Sequence, residues 1–492
     1  MAVLDSSQLD QLVEKVVEKI RREMGSDQVA GNASAIVGGG HPRAVYSPGT
    51  KGHAPIRGRR GVFETLDDAV SAARDAFEQL AETSLETRYK MIEAMRQAVA
   101  SRVKEWATLA VEETGLGRVE DKIHKNLLAA LKTPGPEILR PISFTGDYGL
   151  TLHERAPFGV IGSITPSTNP TETVTNNAIS MVSGGNTVVF NVHPGAKKVS
   201  RALIEQFNDA IVSAGGPENC VTCLAEPTID SAQGLMKHPG IRVIVVTGGG
   251  AVVKAAMSSG KRAICAGPGN PPVVVDETAD IEQAGRDVVL GASFDNNIIC
   301  IVEKELFVVQ SVADALKKVM LRSGAFEISG KQLRDLEKTV IVDDHPSRDF
   351  IGKNASVIAR AAGFHVPDET RLLLAEVDEG HPLVQLEMLM PVFPMVRVKN
   401  VEDAIAAAVR AEHGFFHTAV MHSRNIDNLS NMASRVNTSI FIKNGPAVAG
   451  LGYNGEGHTA WTIAGSSGDG LTTALTYTRE RRCTLKEHFR IV

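Results

Sequence analysis

Apolar residues are spaced along this chain in two alternating rhythms. From about residue 160 to 260, short unbroken runs of Val, Ile and Phe alternate with stretches whose apolar residues recur every three or four positions. Val160 to Thr165 reads as a strand and Thr171 to Val182 as a helix. Thr187 to Phe190, Val221 to Leu224 and Ile241 to Val246 are further strands. Ala196 to Ala214, Ile229 to Lys237 and Ala251 to Ser258 are the helices between and after them. Strands without polar alternation, joined through amphipathic helices by short connections, predict a parallel, doubly wound α/β sheet. Such sheets bind nucleotides at the carboxyl ends of their strands. The rhythm restarts at Val273 to Val275, runs through a helix at Ile281 to Ser293 and a strand at Leu306 to Val309, and continues as a second α/β unit to about Ile442.

The flanks differ. Phe63 to about Arg118 has helical spacing, with one helix starting at Leu66 and another from Arg88 to Leu109. Leu139 to Arg155 reads as a hairpin around Gly146-Asp147. Asn444 to Gly470, rich in Gly, Asn and Ser, reads as a long active-site or wrapping loop, and Leu471 to Val492 as strand-like. At the front, Leu9, Leu12, Val13, Val16, Val17 and Ile20 line one face of a helix whose other face is charged. A Gly-, Ala- and Ser-rich tether follows it. A tethered apolar face needs a partner surface, either its own domain or another protein. Both signs of charge on the polar face argue against a membrane.

Composition narrows the classes. The chain has 492 residues, 43% of them apolar, and a formal charge of −5, which suits two or three ordinary domains and not a basic nucleic-acid binder. No apolar run reaches the length of a membrane span. Five cysteines, odd in number, suggest free thiols in a reducing compartment.

Four stretches carry candidate chemistry. Cys300 ends Ser293-Phe-Asp-Asn-Asn-Ile-Ile-Cys300, an Asn-rich turn whose amides suit an activated thiol or an oxyanion; a buried small hydrophobe is the plainer reading. Thr247-Gly248-Gly249 closes a strand and opens a helix, which suits a pyrophosphate or simply a tight turn. Thr165-Pro166-Ser167-Thr168-Asn169-Pro170 puts small polar groups at a strand end, and turn chemistry alone accounts for such a run as well. Cys220 and Cys223 form a C-x-x-C, but no second pair or His cluster follows at ligand spacing, so no metal site is expected.

Together these stretches resemble the aldehyde dehydrogenase superfamily, and most closely its coenzyme A-acylating branch from bacterial microcompartments. Glu113-Thr-Gly-Leu-Gly-Arg-Val-Glu-Asp-Lys-Ile-His-Lys-Asn126, Ile164 to Pro170, Thr247 to Gly249, Ala266-Gly-Pro-Gly-Asn-Pro271, Ser293 to Cys300 and the ending Arg481-Arg-Cys…Phe-Arg-Ile-Val492 carry the likeness. The resemblance implies a Rossmann-type NAD-binding domain over 61–268, including an oligomerisation hairpin at 139–155, and an α/β catalytic domain over 269–443. A return segment and oligomerisation tail would fill 444–492. It implies that 1–24 is a helix docking on microcompartment shell proteins, with 25–60 as its linker, and that the enzyme is a homo-oligomer, dimer or tetramer, in the microcompartment lumen.

By the same resemblance, Cys300 is the nucleophile toward a short aldehyde, with Thr168 or Asn169 as the oxyanion donor. NAD would lie against Thr165, Pro166, Ser167, His193, Thr247, Gly248, Gly249, Gly267 and Glu387. Hydrolytic members carry a water-activating Glu where this chain has Cys265. Water, with a pKa near 15.7, needs that base, whereas a thiol near 8.5 hardly does. The expected product is therefore an acyl-coenzyme A. A hydrolytic enzyme giving free acid and a non-catalytic cargo subunit are the alternatives.

Overall fold

A computed structural model describes Glu18 and the residues from Arg60 to Val492. Glu18 is helical and exposed; the rest of the helix expected over 1–24, and the expected linker up to residue 59, lie outside the described residues.

The first sheet has six parallel strands in the order Val62–Phe63, Val221–Leu224, Thr187–Asn191, Val160–Ile164, Val243–Thr247 and Arg262–Ala266. The chain reverses its direction of growth between Val160–Ile164 and Val243–Thr247. That switch opens a crevice at the carboxyl ends, beside Thr165 and Gly248. Arg262–Ala266 is an edge strand that the apolar pattern did not single out, because only its last three residues, Ile264 to Ala266, are buried.

The second sheet has seven parallel strands: Ala325–Ile328, Leu372–Glu376, Val392–Val398, Glu305–Val309, Pro272–Val275, Thr418–His422 and Ile440–Lys443. Its central strands are buried on both faces. Val273, Val275, Leu306 and Val308 face one core, whereas Val274 and Phe307 face another. This is why they read as continuous apolar runs.

The helix expected from Arg88 to Leu109 is two helices, Leu85–Ala100 and Val103–Thr114. Ser101 caps the first through the Gln97 carbonyl, and Arg102 leaves helical geometry at φ −123. A further helix, Val119–Lys132, begins inside the Glu113–Asn126 motif and runs beyond it. The hairpin forms as Ile142–Gly146 and Gly149–Pro157. Thr478–Lys486 joins it as a third antiparallel strand, pairing Arg481 with Glu154. The Gly-rich segment before that strand holds a 3-10 turn at Ala447–Leu451 and a short strand at Ile463–Ala464. Among the described residues, no helix is long and apolar enough to cross a membrane.

Candidate active site

Cys300 stands in a turn between helix Ile281–Ser293 and strand Glu305–Val309. Three residues before it share left-handed backbone: Asp295 (φ 47), Asn296 (φ 53) and Asn297 (φ 66). Each such residue costs about 1 kcal/mol or more, and Asp and Asn tolerate the region best. The side chains repay the strain. Asn297 Nδ2 donates to the carbonyls of Ala292 and Glu303, closing the open end of the helix. Asn296 accepts from Arg118 Nε at 2.7 Å and donates to Gly352 O and Asn354 Oδ1. Asp295 accepts from the Arg118 amide at 2.7 Å, from Lys125 Nζ at 2.5 Å and from Lys122 Nζ at 3.1 Å.

These ions form a closed network with no exposed member. Lys125 also lies 3.5 Å from Glu172, and Lys122 donates to the Thr168 carbonyl at 3.2 Å. Burial works against a charged Asp295, but the two ammonium groups outweigh it and hold the carboxyl below its ordinary range. Lys122 thus ties the 165–170 loop to the Cys300 loop. Gly117 allows the approach: a Cβ there would stand 2.0 Å from Asp295 Oδ1. Sequence reading missed this network. Lys122 and Lys125 look like a solvated face until they are seen to share the helix's buried side with Ile123, Asn126 and Leu127.

Around Cys300 the structure gathers Gly269, Lys304, Glu387 and His417. A Cβ on Gly269 would meet the Cys300 carbonyl at 2.9 Å and the His417 ring at 3.0 Å, and its amide donates to Glu387 Oε1 at 3.3 Å. Cys300 is partly open to solvent. Burial of the thiol and then the Glu387 carboxylate push it up to about 12, while Lys304 and Lys125 pull it down. Glu387 is itself pushed up to about 7 by burial, opposed by Lys304. His417 is pushed down to about 4 by burial and is neutral; its Nδ1 meets Thr418 Oγ1, and its Nε2 has no partner. His417 and Lys304 carry no local sequence signal, because only the fold brings them beside Cys300.

In the 165–170 loop, Asn169 is buried and precedes helix Pro170–Ser183. Its Nδ2 donates to Thr168 Oγ1 at 3.1 Å, and its Oδ1 is unpartnered. The two candidate oxyanion donors therefore touch. Pro166 and Ser167 are half-buried beside them. Thr165 Oγ1 is buried without a partner at the mouth of the crevice. Across the switch, Thr247 Oγ1 meets Thr462 Oγ1 at 2.8 Å. Gly249 precedes helix Gly250–Met257 with open space where a Cβ would be, and Gly248 approaches only Val252. The orphaned hydroxyl and the open glycine edge at a helix N-terminus fit a dinucleotide's diphosphate. Gly267 packs tightly, since a Cβ there would stand 2.5 Å from Ser466 Oγ. His193 is exposed and turns its Nδ1 to accept from the Gly195 amide.

Cys265 is buried at the end of its strand, and its amide donates to Ser467 Oγ at 3.0 Å. Burial, with Asp469 adding to it, pushes this thiol up to about 11. Cys220 and Cys223 are buried, both pushed up to about 12. Among the described residues no group of His, Cys, Asp and Glu is placed to hold a metal ion.

Comparison with known proteins adds names to this geometry. Residues 39–335 match the sequence model of the Aldehyde dehydrogenase family. The chain is 54% identical over 439 residues to acetaldehyde dehydrogenase (acetylating) EutE of Salmonella typhimurium, covering 88% of this chain and 94% of that one. Rhodopseudomonas palustris propionaldehyde dehydrogenase, solved with bound CoA and an acylated cysteine, superimposes with TM-score 0.86 at 46% identity, over 87% of this chain and 98% of that one. A propionaldehyde dehydrogenase from the Clostridium phytofermentans fucose utilisation bacterial microcompartment gives TM-score 0.87 at 43% identity, over 88% and 100%. Identity of this extent on a shared fold places the chain in the aldehyde dehydrogenase family, among its coenzyme A-acylating members.

Proposed function

We propose that the chain oxidises a short aliphatic aldehyde, acetaldehyde or propionaldehyde, to its acyl-coenzyme A with NAD⁺. Cys300 is the nucleophile: its thiolate adds to the carbonyl carbon, and the carbonyl oxygen takes the negative charge as a thiohemiacetal forms. The amide of Asn169 and the hydroxyl of Thr168 hold that oxyanion, positioned by the Lys122 bond to the Thr168 carbonyl. Thr165, Pro166, Ser167, His193, Thr247, Gly248, Gly249, Gly267 and Glu387 hold the dinucleotide. When bound, NAD⁺ supplies the hydride acceptor. The acyl group is left as a thioester on Cys300, and the thiol of coenzyme A displaces it.

The observation that carries the choice of coenzyme A over water is Cys265. A buried thiol pushed up to about 11 stands where hydrolytic relatives need a carboxylate, and it cannot serve as their base near neutral pH. The decisive experiment follows NADH with propionaldehyde and NAD⁺, with and without coenzyme A. Sustained turnover only with coenzyme A is expected. Equal turnover without it, giving free acid, overturns the reading.

In this reading, 61–268 forms the cofactor domain and 269–443 the catalytic domain. The hairpin within 139–155 and the tail within 444–492 pair subunits into a dimer or tetramer; exposed Ile142, Phe144 and Leu485 on those strands, and Tyr148 in the hairpin turn, support this. Residues 1–24 dock the enzyme on shell protein, on the 25–60 linker, inside a microcompartment. Deleting 1–24 is expected to leave soluble activity and abolish co-purification with shells; retained co-purification defeats the docking role.

A further inference from the structure

Lys304 is buried, 3% exposed, and its Nζ donates to Asn297 O at 2.8 Å, Asn297 Oδ1 at 2.6 Å and Ile299 O at 3.1 Å. Three donors meet three uncharged acceptors, and an amine that donates all three is an ammonium. Lys122 and Lys125 spend their charge on Asp295 and Glu172. Lys304 makes no such ion pair among the described residues. Its acceptors belong to the turn that delivers Cys300.

The charges facing Lys304 do not cancel it. Glu303 and Glu305 flank it in sequence, both fully buried. Burial pushes Glu303 up to about 8 and Glu305 well above its ordinary range, so both carboxyls keep their protons at neutral pH. Both oxygens of Glu305, and Oε2 of Glu303, lack partners, as befits groups that carry no charge. His417 is neutral. Glu387 is half-ionised near neutrality and opposes a thiolate, while Lys125 assists one from the far side of the loop. Burial lowers Lys304 itself to about 8, which leaves it charged at neutral pH. Helix Ile281–Ser293 turns its carbonyl end toward this loop, so the helix supplies no positive dipole here, and the backbone's help to the thiolate is confined to the Cys300 amide.

The geometry points to Lys304 as the positioning residue of Cys300: its three hydrogen bonds fix the Asn297–Ile299 turn, and its buried charge favours the thiolate over the thiol. The inference rests on the reading of Cys300 as nucleophile.

The test is the rate at which iodoacetamide alkylates Cys300 on the full chain, at pH 7, where Lys304 is charged, and at about pH 9.5, above its value of about 8, taken as the difference between each protein and its Cys300→Ala counterpart. This difference removes the exposed Cys483. In Lys304→Met and Lys304→Gln the rate at pH 7 is expected to fall roughly tenfold, as a tenfold smaller thiolate fraction requires, and the gap from the parent is expected to narrow at the higher pH, where the parent's Lys304 has lost its proton. Lys304→Arg, which keeps the charge, is expected to return most of the rate at pH 7. Loss of turnover with an unchanged alkylation rate, or a rate ratio that is the same at both pH values, means that Lys304 only holds the turn, and overturns the inference. Should Lys304→Met fail to fold, the smaller change to Gln decides. Alkylation needs no aldehyde, so it stands apart from the nucleophile reading. That reading fails separately if Cys300→Ala still turns over.

Discussion

The two parallel sheets meet the site with opposite ends. In the six-stranded sheet the site residues follow strands: Thr165 after Val160–Ile164, Gly248 after Val243–Thr247, Gly267 after Arg262–Ala266. In the seven-stranded sheet they precede strands: Gly269 before Pro272–Val275, Cys300 and Lys304 before Glu305–Val309, Glu387 before Val392–Val398, His417 before Thr418–His422. Carboxyl ends of strands lead into helix N-termini, whose bare amides receive an anion without any charged side chain. Amino ends receive helix C-termini and their carbonyls. There, charge has to come from side chains, and the structure brings in Lys304, Glu387 and the Asp295 network. One side of the site is made of backbone and the other of buried ions, so the two sides should respond differently to substitution.

The largest effect is expected at the reacting group. Cys300→Ala should lower turnover by at least about 10⁴-fold, as loss of a nucleophile does elsewhere, with an unchanged melting curve. Measured activity within tenfold of the parent would remove the ion-built side from the chemistry altogether.

Next comes the network beneath it. Asp295→Asn removes the carboxylate that Lys122 and Lys125 share and leaves Lys125 its ion pair with Glu172. Removing one partner of a buried ion cluster costs about 3–5 kcal/mol. Denaturant unfolding should show a loss of that order, and Lys122→Met in the same chain should recover part of it. The sign with pH follows from the lowered carboxyl: its contribution is present at neutral pH and lost as pH falls through the native value, below the ordinary carboxylate range. A parent and variant of equal stability at neutral pH would show that the network is not needed for the fold.

How much of this was legible in the sequence divides along the same line. The backbone-built side was readable: strand runs, Gly248-Gly249 and the Thr165–Asn169 loop fell where the sheet reverses, because apolar rhythm and turn chemistry are local signals. The Asp-Asn-Asn run was readable as a turn, and its three left-handed positions, which the structure adds, explain why Asp and Asn stand there. The ion-built side was not readable. Lys122 and Lys125 come from a helix some 170 residues before Asp295. His417 and Glu387 arrive from loops whose closeness only the sheet order creates. A buried charge looks like a surface charge until its partner is known. Position 265 was the exception, legible because an expected carboxylate was absent.

A smaller effect is expected at Glu387, pushed up to about 7. Below that pH it is protonated and indifferent to the neighbouring thiol; above it, its charge holds the Cys300 proton in place. Glu387→Gln should therefore alkylate at Cys300 with iodoacetamide at the parent's rate below about pH 6, and roughly several-fold faster above about pH 8. A constant ratio across that range would mean that the carboxylate does not act on the thiol through its charge.

The smallest effect belongs to the backbone-built side, where two glycines set the sides against each other. Gly249 has φ −66 and ψ 164, open to any residue, and nothing within 4 Å of where a Cβ would stand. Gly249→Ala should leave stability within about 0.5 kcal/mol. It should raise KM for NAD⁺ by about tenfold or less, because the methyl group intrudes only on the edge proposed to hold the diphosphate. Gly269 is closed in by the Cys300 carbonyl and the His417 ring, at 2.9 and 3.0 Å from such a Cβ. Its alanine variant has to displace the Cys300 turn, so kcat should fall while KM for NAD⁺ stays near the parent's. If the two variants exchanged these signatures, with Gly249→Ala lowering kcat and Gly269→Ala raising only KM, the assignment of backbone to the cofactor and ions to the chemistry would be reversed.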